Sequence, residues 1–153
     1  MPQVAGRPAC VLFGFGSTIH PFVFHEAYRP FADLPLDERV RELARPEVRR
    51  AILDEEIQLR GLQAVIMQSF DRLFPLGDPP EYEPSREQSI AAIARREGRA
   101  PAEVAYDLLL ADEGRAFLST QFANYADYDL EACRGMLAST ASVPGLGDGG
   151  AHV

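Results

Sequence analysis

Apolar residues recur at intervals of three and four along most of the chain, which is the spacing of one face of an α-helix. Proline at a first helical turn and glycine after a last one set the ends of several of these segments. Six helices are predicted: one carrying Leu36, Val40 and Leu43; one from Pro46 carrying Val48 and Ile52; one from Leu62 to Leu73; one carrying Ile90, Ile93 and Ala94; one from Pro101 carrying Val104, Leu108 and Ala111; and one carrying Leu130, Cys133 and Leu137.

The helix ends have their own signals. Ser85 and Gln88 are three residues apart, as in a capping box, and precede the fourth apolar stripe. Gly98 and Gly114 follow the fourth and fifth stripes, where a left-handed residue commonly ends a helix. These positions predict where both helices stop.

Short strands are predicted between the helices. The run from Cys10 to Phe13 is unbroken apolar sequence, which predicts a strand buried on both faces, and residues 141–143 predict another before Pro144. Strands separated by long helical segments favour an α/β fold with a parallel sheet. A complete (β/α)8 barrel needs about 250 residues. The pattern therefore predicts either a compact, mostly helical domain or part of a larger protein.

Composition and charge narrow the function classes. The chain has 153 residues, 46% of them hydrophobic, and a net charge of −8. Nucleic-acid binding is not expected, because the basic residues of this chain alternate with acidic residues rather than cluster. No apolar stretch is long enough for a membrane span, and the start has no signal-peptide pattern, so we predict a cytoplasmic protein. Cys10 and Cys133 are predicted to be reduced, buried thiols.

The glycine-rich stretch SVPGLGDGGAHV, residues 142–153, is the main candidate for chemistry. Asp148 follows a predicted strand and has small neighbours, so its carboxylate can bind a metal and accept a proton from water, while His152 can orient a substrate. A simple Asp-Gly turn is the alternative. Gly145, Gly147 and Gly150 fit the spacing of a nucleotide-binding loop, but no helix follows them and a carboxylate repels phosphate.

The other histidines give a weaker signal. His20 and His25 are five residues apart and separated by a proline, which is not a spacing typical of metal ligands. The segment that contains them is aromatic and broken by prolines. It is predicted to be a packed loop with structural histidines.

Several motifs carry a resemblance to a known family. PLGDPPEYEPSREQSIAAIARREGRAPAEVAYDLLLADEGRAFL, FANYADYDLEACRGML and VPGLGDGGAHV occur in that order, after QVAGRP and TIHPF near the start. In order and spacing these segments resemble the C-terminal half of the catalytic domain of N-acyl-D-amino-acid deacylases, members of the amidohydrolase superfamily. The resemblance covers nearly the whole chain, and LGDPP, EGRAPAEVAYDLLL and GLGDGGAH are its most specific parts.

The resemblance implies a zinc-dependent hydrolase that cleaves the amide of an N-acyl-D-amino acid. Its fold is then α/β, a partial (β/α)8 TIM barrel of the metal-dependent amidohydrolase type that is mostly helical in this part. Asp148 matches the family's catalytic aspartate, which lies beside the metal and acts as general base and then acid. His152 matches the motif's histidine, with a substrate-side role. Tyr125 and Arg7 match family positions and either line the substrate cleft or pack.

The departures from the family pattern shape the expectation for this chain. Gly147 stands where the family has serine, and the remaining zinc ligands have no counterpart, although zinc needs three or four. Residues 1–153 are therefore expected to form one part of a catalytic barrel, incomplete at both ends and inactive alone. The alternative is a stand-alone helical binding module. Apolar surface that would otherwise pack against missing strands predicts self-association, whereas a monomer that melts cooperatively would favour the module.

Overall fold

The computed structural model describes residues 1–145, which form a mixed α/β fold. Helices contain most of the regular structure, and short 3-10 turns occur at Arg29–Phe31 and Arg86–Gln88. In chain order, the helices and strands of this range are β1 Gln3–Val4, β2 Ala9–Phe13, α1 Leu36–Leu43, α2 Pro46–Leu53, α3 Leu62–Gln68, β3 Leu73–Pro75, α4 Ile90–Glu97, α5 Pro101–Gly114, β4 Leu118–Ala123, α6 Glu131–Ala138 and β5 Val143–Pro144.

The strands form two small sheets, and neither of them closes into a barrel within residues 1–145. The larger sheet has the order β2-β4-β3 and is antiparallel throughout, with Phe13 opposite Leu118 and Leu73 opposite Thr120. The smaller sheet is the parallel pair β1 and β5. The predicted parallel sheet is therefore wrong for the larger sheet, whose central strand β4 the hydrophobic pattern did not reveal.

The two faces of β2 differ in burial. Phe13 is buried against the helices, whereas Leu12 is 44% exposed and Cys10 is exposed. The predictions that this strand is covered on both faces and that Cys10 is buried are wrong, because Cys10 and Leu12, which share one face of β2, are both exposed. Cys133 is buried, as predicted.

Most helix predictions are confirmed, and two need correction. The third helix ends at Gln68 because Ser69 leaves the helical region of backbone space, and Leu73 then belongs to β3. In α5 the backbone departs from helical values from Ala111 onwards, so Ala111 is exposed and Leu109 is buried instead. None of the described helices is both long and apolar enough to cross a bilayer.

The core is built around aromatic rings from the loop after β2 and from α5. Phe15 contacts Tyr106 edge to face at 5.5 Å between ring centroids, and Phe22 contacts Tyr106 at 5.0 Å. The Tyr106 hydroxyl donates to the Leu43 carbonyl at 2.9 Å, which ties α5 to the end of α1. The predicted packed loop is thus confirmed as part of the core.

Candidate functional site

The parallel pairing of β1 and β5 defines the edge from which the predicted catalytic segment starts. The Gly145 amide donates to the Val4 carbonyl at 2.8 Å, so the chain leaves β5 beside the end of β1. Arg7, which is exposed, lies three residues beyond β1. Because the strands are parallel, their carboxyl ends meet at one edge. Asp148 and His152 lie outside the described residues.

A third segment reaches the same edge from β4. Asn124 follows β4 with a left-handed backbone, φ 60°, and its side-chain amide donates to the carbonyls of Ala5 at 3.4 Å and Arg7 at 3.2 Å. Asparagine tolerates this conformation better than most residues. The structure therefore brings the backbone of Arg7 next to the segment that carries Tyr125.

Tyr125 itself is deeply buried, with 1% of its surface exposed. Its hydroxyl donates to the Pro84 carbonyl at 2.9 Å, and its ring contacts Phe74 and Tyr128 edge to face. Burial raises the pKa of Tyr125 to about 12. The hydroxyl is therefore neutral and already engaged, and its clear contribution in this structure is to hold the chain beside Arg7.

A cleft of about 350 Å³ lies between the turn that follows α3 and the end of β4, and Tyr125 lines it. Arg72, which the sequence analysis did not single out, organises this cleft. Its guanidinium donates to the carbonyls of Tyr125 and Ala126, the latter at 2.8 Å, and lies 4.5 Å from the ring centroid of Tyr128. The only signal in the sequence was a charged residue inside an apolar stripe.

Gln121 is a second cleft residue that sequence reasoning missed. It is buried, and its Nε2 donates to the Ser119 hydroxyl at 3.1 Å. Its Oε1 is buried and has no hydrogen-bond partner among residues 1–145. A buried acceptor without a partner is costly, so this oxygen is suited to accept a hydrogen bond from a ligand N–H group.

The histidines take the structural roles that the sequence predicted. His20 is 1% exposed, and its Nδ1 accepts a hydrogen bond from the Phe22 amide at 3.2 Å. Burial, together with the nearby positive charge of Arg39, lowers the pKa of His20 to about 3. Burial also lowers the pKa of His25, and the Glu55 carboxylate opposes that shift.

The described part of the chain does not assemble a metal centre. Residues 1–145 contain no group of three or more histidine, cysteine, aspartate or glutamate side chains placed to hold a metal ion. Zinc takes three or four protein ligands. The donors in this range therefore do not fit the zinc site that the family resemblance implies.

Comparisons of the chain with protein-family models, with curated proteins and with solved structures each found no match. The resemblance to deacylases consequently rests on the sequence motifs alone.

Proposed function

We propose that this chain forms part of the catalytic (β/α)8 barrel of a cytoplasmic, metal-dependent amidohydrolase that deacylates N-acyl-D-amino acids. The observation that carries the proposal is the parallel pairing of β1 with β5. It brings the start of the GLGDGGAH segment to the same edge as Arg7 and, through Asn124, the Tyr125 segment. In (β/α)8 enzymes the catalytic groups lie at the carboxyl ends of parallel strands.

The proposed chemistry is hydrolysis of a linear amide. Water attacks the carbonyl carbon, the C–N bond breaks, and the products are a carboxylic acid and a free D-amino acid. Asp148 takes the proton from the attacking water and delivers it to the leaving nitrogen, which would otherwise depart as an unstable amide anion. His152, in the same segment, is assigned to orient the substrate.

Substrate binding is proposed to use two described residues. Arg7 is exposed at the strand edge, and a guanidinium is suited to pair with the carboxylate of an N-acyl-amino acid. The unpartnered Oε1 of Gln121 is suited to accept a hydrogen bond from the substrate's amide N–H. Tyr125 is assigned a positioning role, because its hydroxyl is committed to Pro84.

The proposal includes zinc only because the family that this chain resembles depends on it. Since residues 1–145 gather no set of three metal ligands, no step above passes through the metal, and we expect residues 1–153 alone not to turn over substrate.

The test is an assay of D-methionine release from N-acetyl-D-methionine in the presence of zinc. It compares residues 1–153 with the protein translated from the whole reading frame that contains them, using the L-enantiomer as a control substrate. We expect turnover of the D-substrate by the whole reading frame, and Asp148→Asn is expected to reduce kcat at least about a hundredfold, in line with loss of a general base. An unchanged kcat in Asp148→Asn, or no release from the D-substrate, contradicts the proposal.

The alternative of a stand-alone helical binding module is favoured by one observation. Leu62 and Val65 of α3 are 63% and 48% exposed, so this helix presents apolar side chains to solvent. A monomeric chain that melts cooperatively, together with no hydrolysis by the whole reading frame, would support the module and count against the hydrolase.

A further inference from the structure

A smaller pocket lies at the loop that follows β2. It has a volume of about 210 Å³ and is formed where this loop meets α1 and the 3-10 turn Arg29–Phe31. Its polar lining comes from Gly16, Ser17, Thr18, His20, Tyr28 and Arg39. No aspartate or glutamate is among its lining residues, although the negative charge of Asp33 is close enough to Tyr28 to help raise its pKa.

Arg39 has one buried N–H group, at Nε, that lacks a hydrogen-bond partner among residues 1–145. Its two terminal nitrogens donate to the carbonyls of Phe15 at 2.6 Å and Leu34 at 2.8 Å, which fixes the guanidinium in place. The Arg39 Nε is buried and has no hydrogen-bond partner among residues 1–145, while the Tyr28 hydroxyl lies close to the same guanidinium. A buried, unpartnered N–H on a charged group is unfavourable unless a ligand or water satisfies it.

His20 adds a neutral donor to the same pocket. Its Nδ1 accepts the hydrogen bond from the Phe22 amide, so the ring proton of the neutral imidazole is on Nε2. Burial and the adjacent Arg39 charge keep the pKa of His20 at about 3, so the ring stays neutral at physiological pH.

Hydroxyl groups complete the lining. Ser17 and Thr18 line the pocket, and the Tyr28 hydroxyl is close to the Arg39 guanidinium, which opposes the rise in the Tyr28 pKa that burial causes. The turn that presents these hydroxyls is closed by the Ser17 amide, which donates to the Gly14 carbonyl at 3.0 Å. Each of these hydroxyls can donate to an acceptor.

From a fixed guanidinium with an unused Nε, a neutral imidazole donor and three hydroxyls in a pocket without carboxylates, we propose that this pocket binds a small oxyanion of the size of inorganic phosphate. Charge-assisted hydrogen bonds to oxyanions are the strong ones, and every polar side chain in the lining can supply a donor. Drug-sized ligands occupy about 300–1,000 Å³, so a pocket of this volume suits an isolated anionic group rather than a nucleotide. The site is independent of the proposed deacylase function.

The test follows the side-chain N–H resonance of Arg39 in ¹⁵N–¹H correlation spectra of the full chain. Sodium phosphate is titrated at pH 7.5, with sodium chloride adjusted to hold the ionic strength constant, and sodium acetate is titrated in parallel. We expect a saturable shift of the Arg39 Nε–H resonance with phosphate and weaker saturation with acetate. A linear shift that matches the chloride control overturns the proposal, and so does saturation by acetate but not by phosphate.

Variants test whether the response to phosphate arises in this pocket. Arg39→Gln also removes bonds to two carbonyls and can disturb the fold, so the decisive variants are Ser17→Ala and Thr18→Val. Together they are expected to weaken phosphate binding about tenfold or more, since a hydrogen bond to a charged group is worth about 1.5–3 kcal/mol. Arg41→Gln is the matched control, because Arg41 is an exposed arginine of the same helix that pairs with Asp37 at 3.9 Å. Equal phosphate affinity in the double variant and the wild type overturns the assignment.

Discussion

His20 illustrates how burial of a single titratable side chain couples stability to pH. The ring contacts Phe15 and Tyr28 edge to face at 5.0 and 4.5 Å between centroids, and the residue is 1% exposed. Such surroundings disfavour the charged imidazolium, and the pKa of His20 falls from 6.5 to about 3. In the unfolded chain the same side chain takes up a proton below its ordinary pKa.

The free energy of unfolding is therefore expected to decrease as the pH falls from 6.5 toward about 3. The contribution of neutral His20 is fully present above pH 6.5 and is lost as the pH falls toward 3, by about 1.4 kcal/mol for each pH unit between the two pKa values. The measurement is urea unfolding at pH values from 7.5 to 4. In His20→Asn, whose side-chain oxygen can still accept from the Phe22 amide, the slope of unfolding free energy against pH should be shallower by about one proton. Equal slopes in the two proteins would exclude His20 as the source.

For individual residues, the sequence predicted packing more reliably than it predicted functional roles. The structural roles of His20 and His25 followed from their spacing, and the capping box of Ser85 and Gln88 is present, although it opens a 3-10 turn before α4. Arg72 and Gln121 were missed because their roles depend on partners distant in the chain. A side chain that reaches across 53 residues to the Tyr125 carbonyl leaves no local signal.

The ends of α4 and α5 show why two glycines in similar conformations differ in importance. Gly98 and Gly114 have φ values of +66° and +77°, which disfavour side chains. A Cβ at Gly98 would have open space, whereas a Cβ at Gly114 would lie 2.3 Å from Cγ2 of Val40. Gly114 thus permits the close approach of α5 to α1.

Alanine at the two positions should separate these effects. Gly98→Ala is expected to destabilise the protein by about 1 kcal/mol, the cost of left-handed backbone alone. Gly114→Ala adds overpacking against Val40 and is expected to cost about 2–4 kcal/mol in total. Chemical denaturation of both variants provides the measurement, with Gly98→Ala as the matched control. Similar losses would mean that the contact with Val40 relaxes freely.

Most helices were predictable from apolar spacing, although α3 exposes Leu62 and Val65 of its predicted stripe, and the glycine and proline ends are local signals. The strands β3 and β4 were not predictable from the spacing of apolar residues. Leu73 and Phe74 extend the apolar run of α3, and a short apolar run does not distinguish helix from strand. In β4, Ser119, Thr120 and Gln121 are polar yet buried, so the central strand lacks the apolar pattern of a core element.

On the scale of the whole molecule, the larger sheet is antiparallel because its central strand, β4, pairs in the antiparallel direction with both β2 and β3. Without that strand, the sequence suggested only strands linked by helices, and such links favour parallel pairing. The one parallel pair in the described range is β1 with β5, at the edge where the proposed catalytic segment begins. One face of the larger sheet also exposes apolar side chains, from β2 and from the residue before β4.

That face predicts self-association. Leu12 is 44% exposed and Phe117 is 37% exposed, and their positions opposite Ser119 and beside Gly14 place both on one face of the sheet. Burying these side chains against a second copy would gain about 25 cal/mol for each Å² of apolar surface removed from water. We expect the sedimentation coefficient of residues 1–153 to rise with protein concentration, and Leu12→Asp to reduce that rise by placing a charge in the contact. Tyr82→Ser is the control, because Tyr82 is a large loop side chain outside this sheet that is 77% exposed, and its loss should leave association unchanged. A concentration-independent monomer would mean that this face remains solvated, since it would then lack enough apolar area to offset the entropy of association.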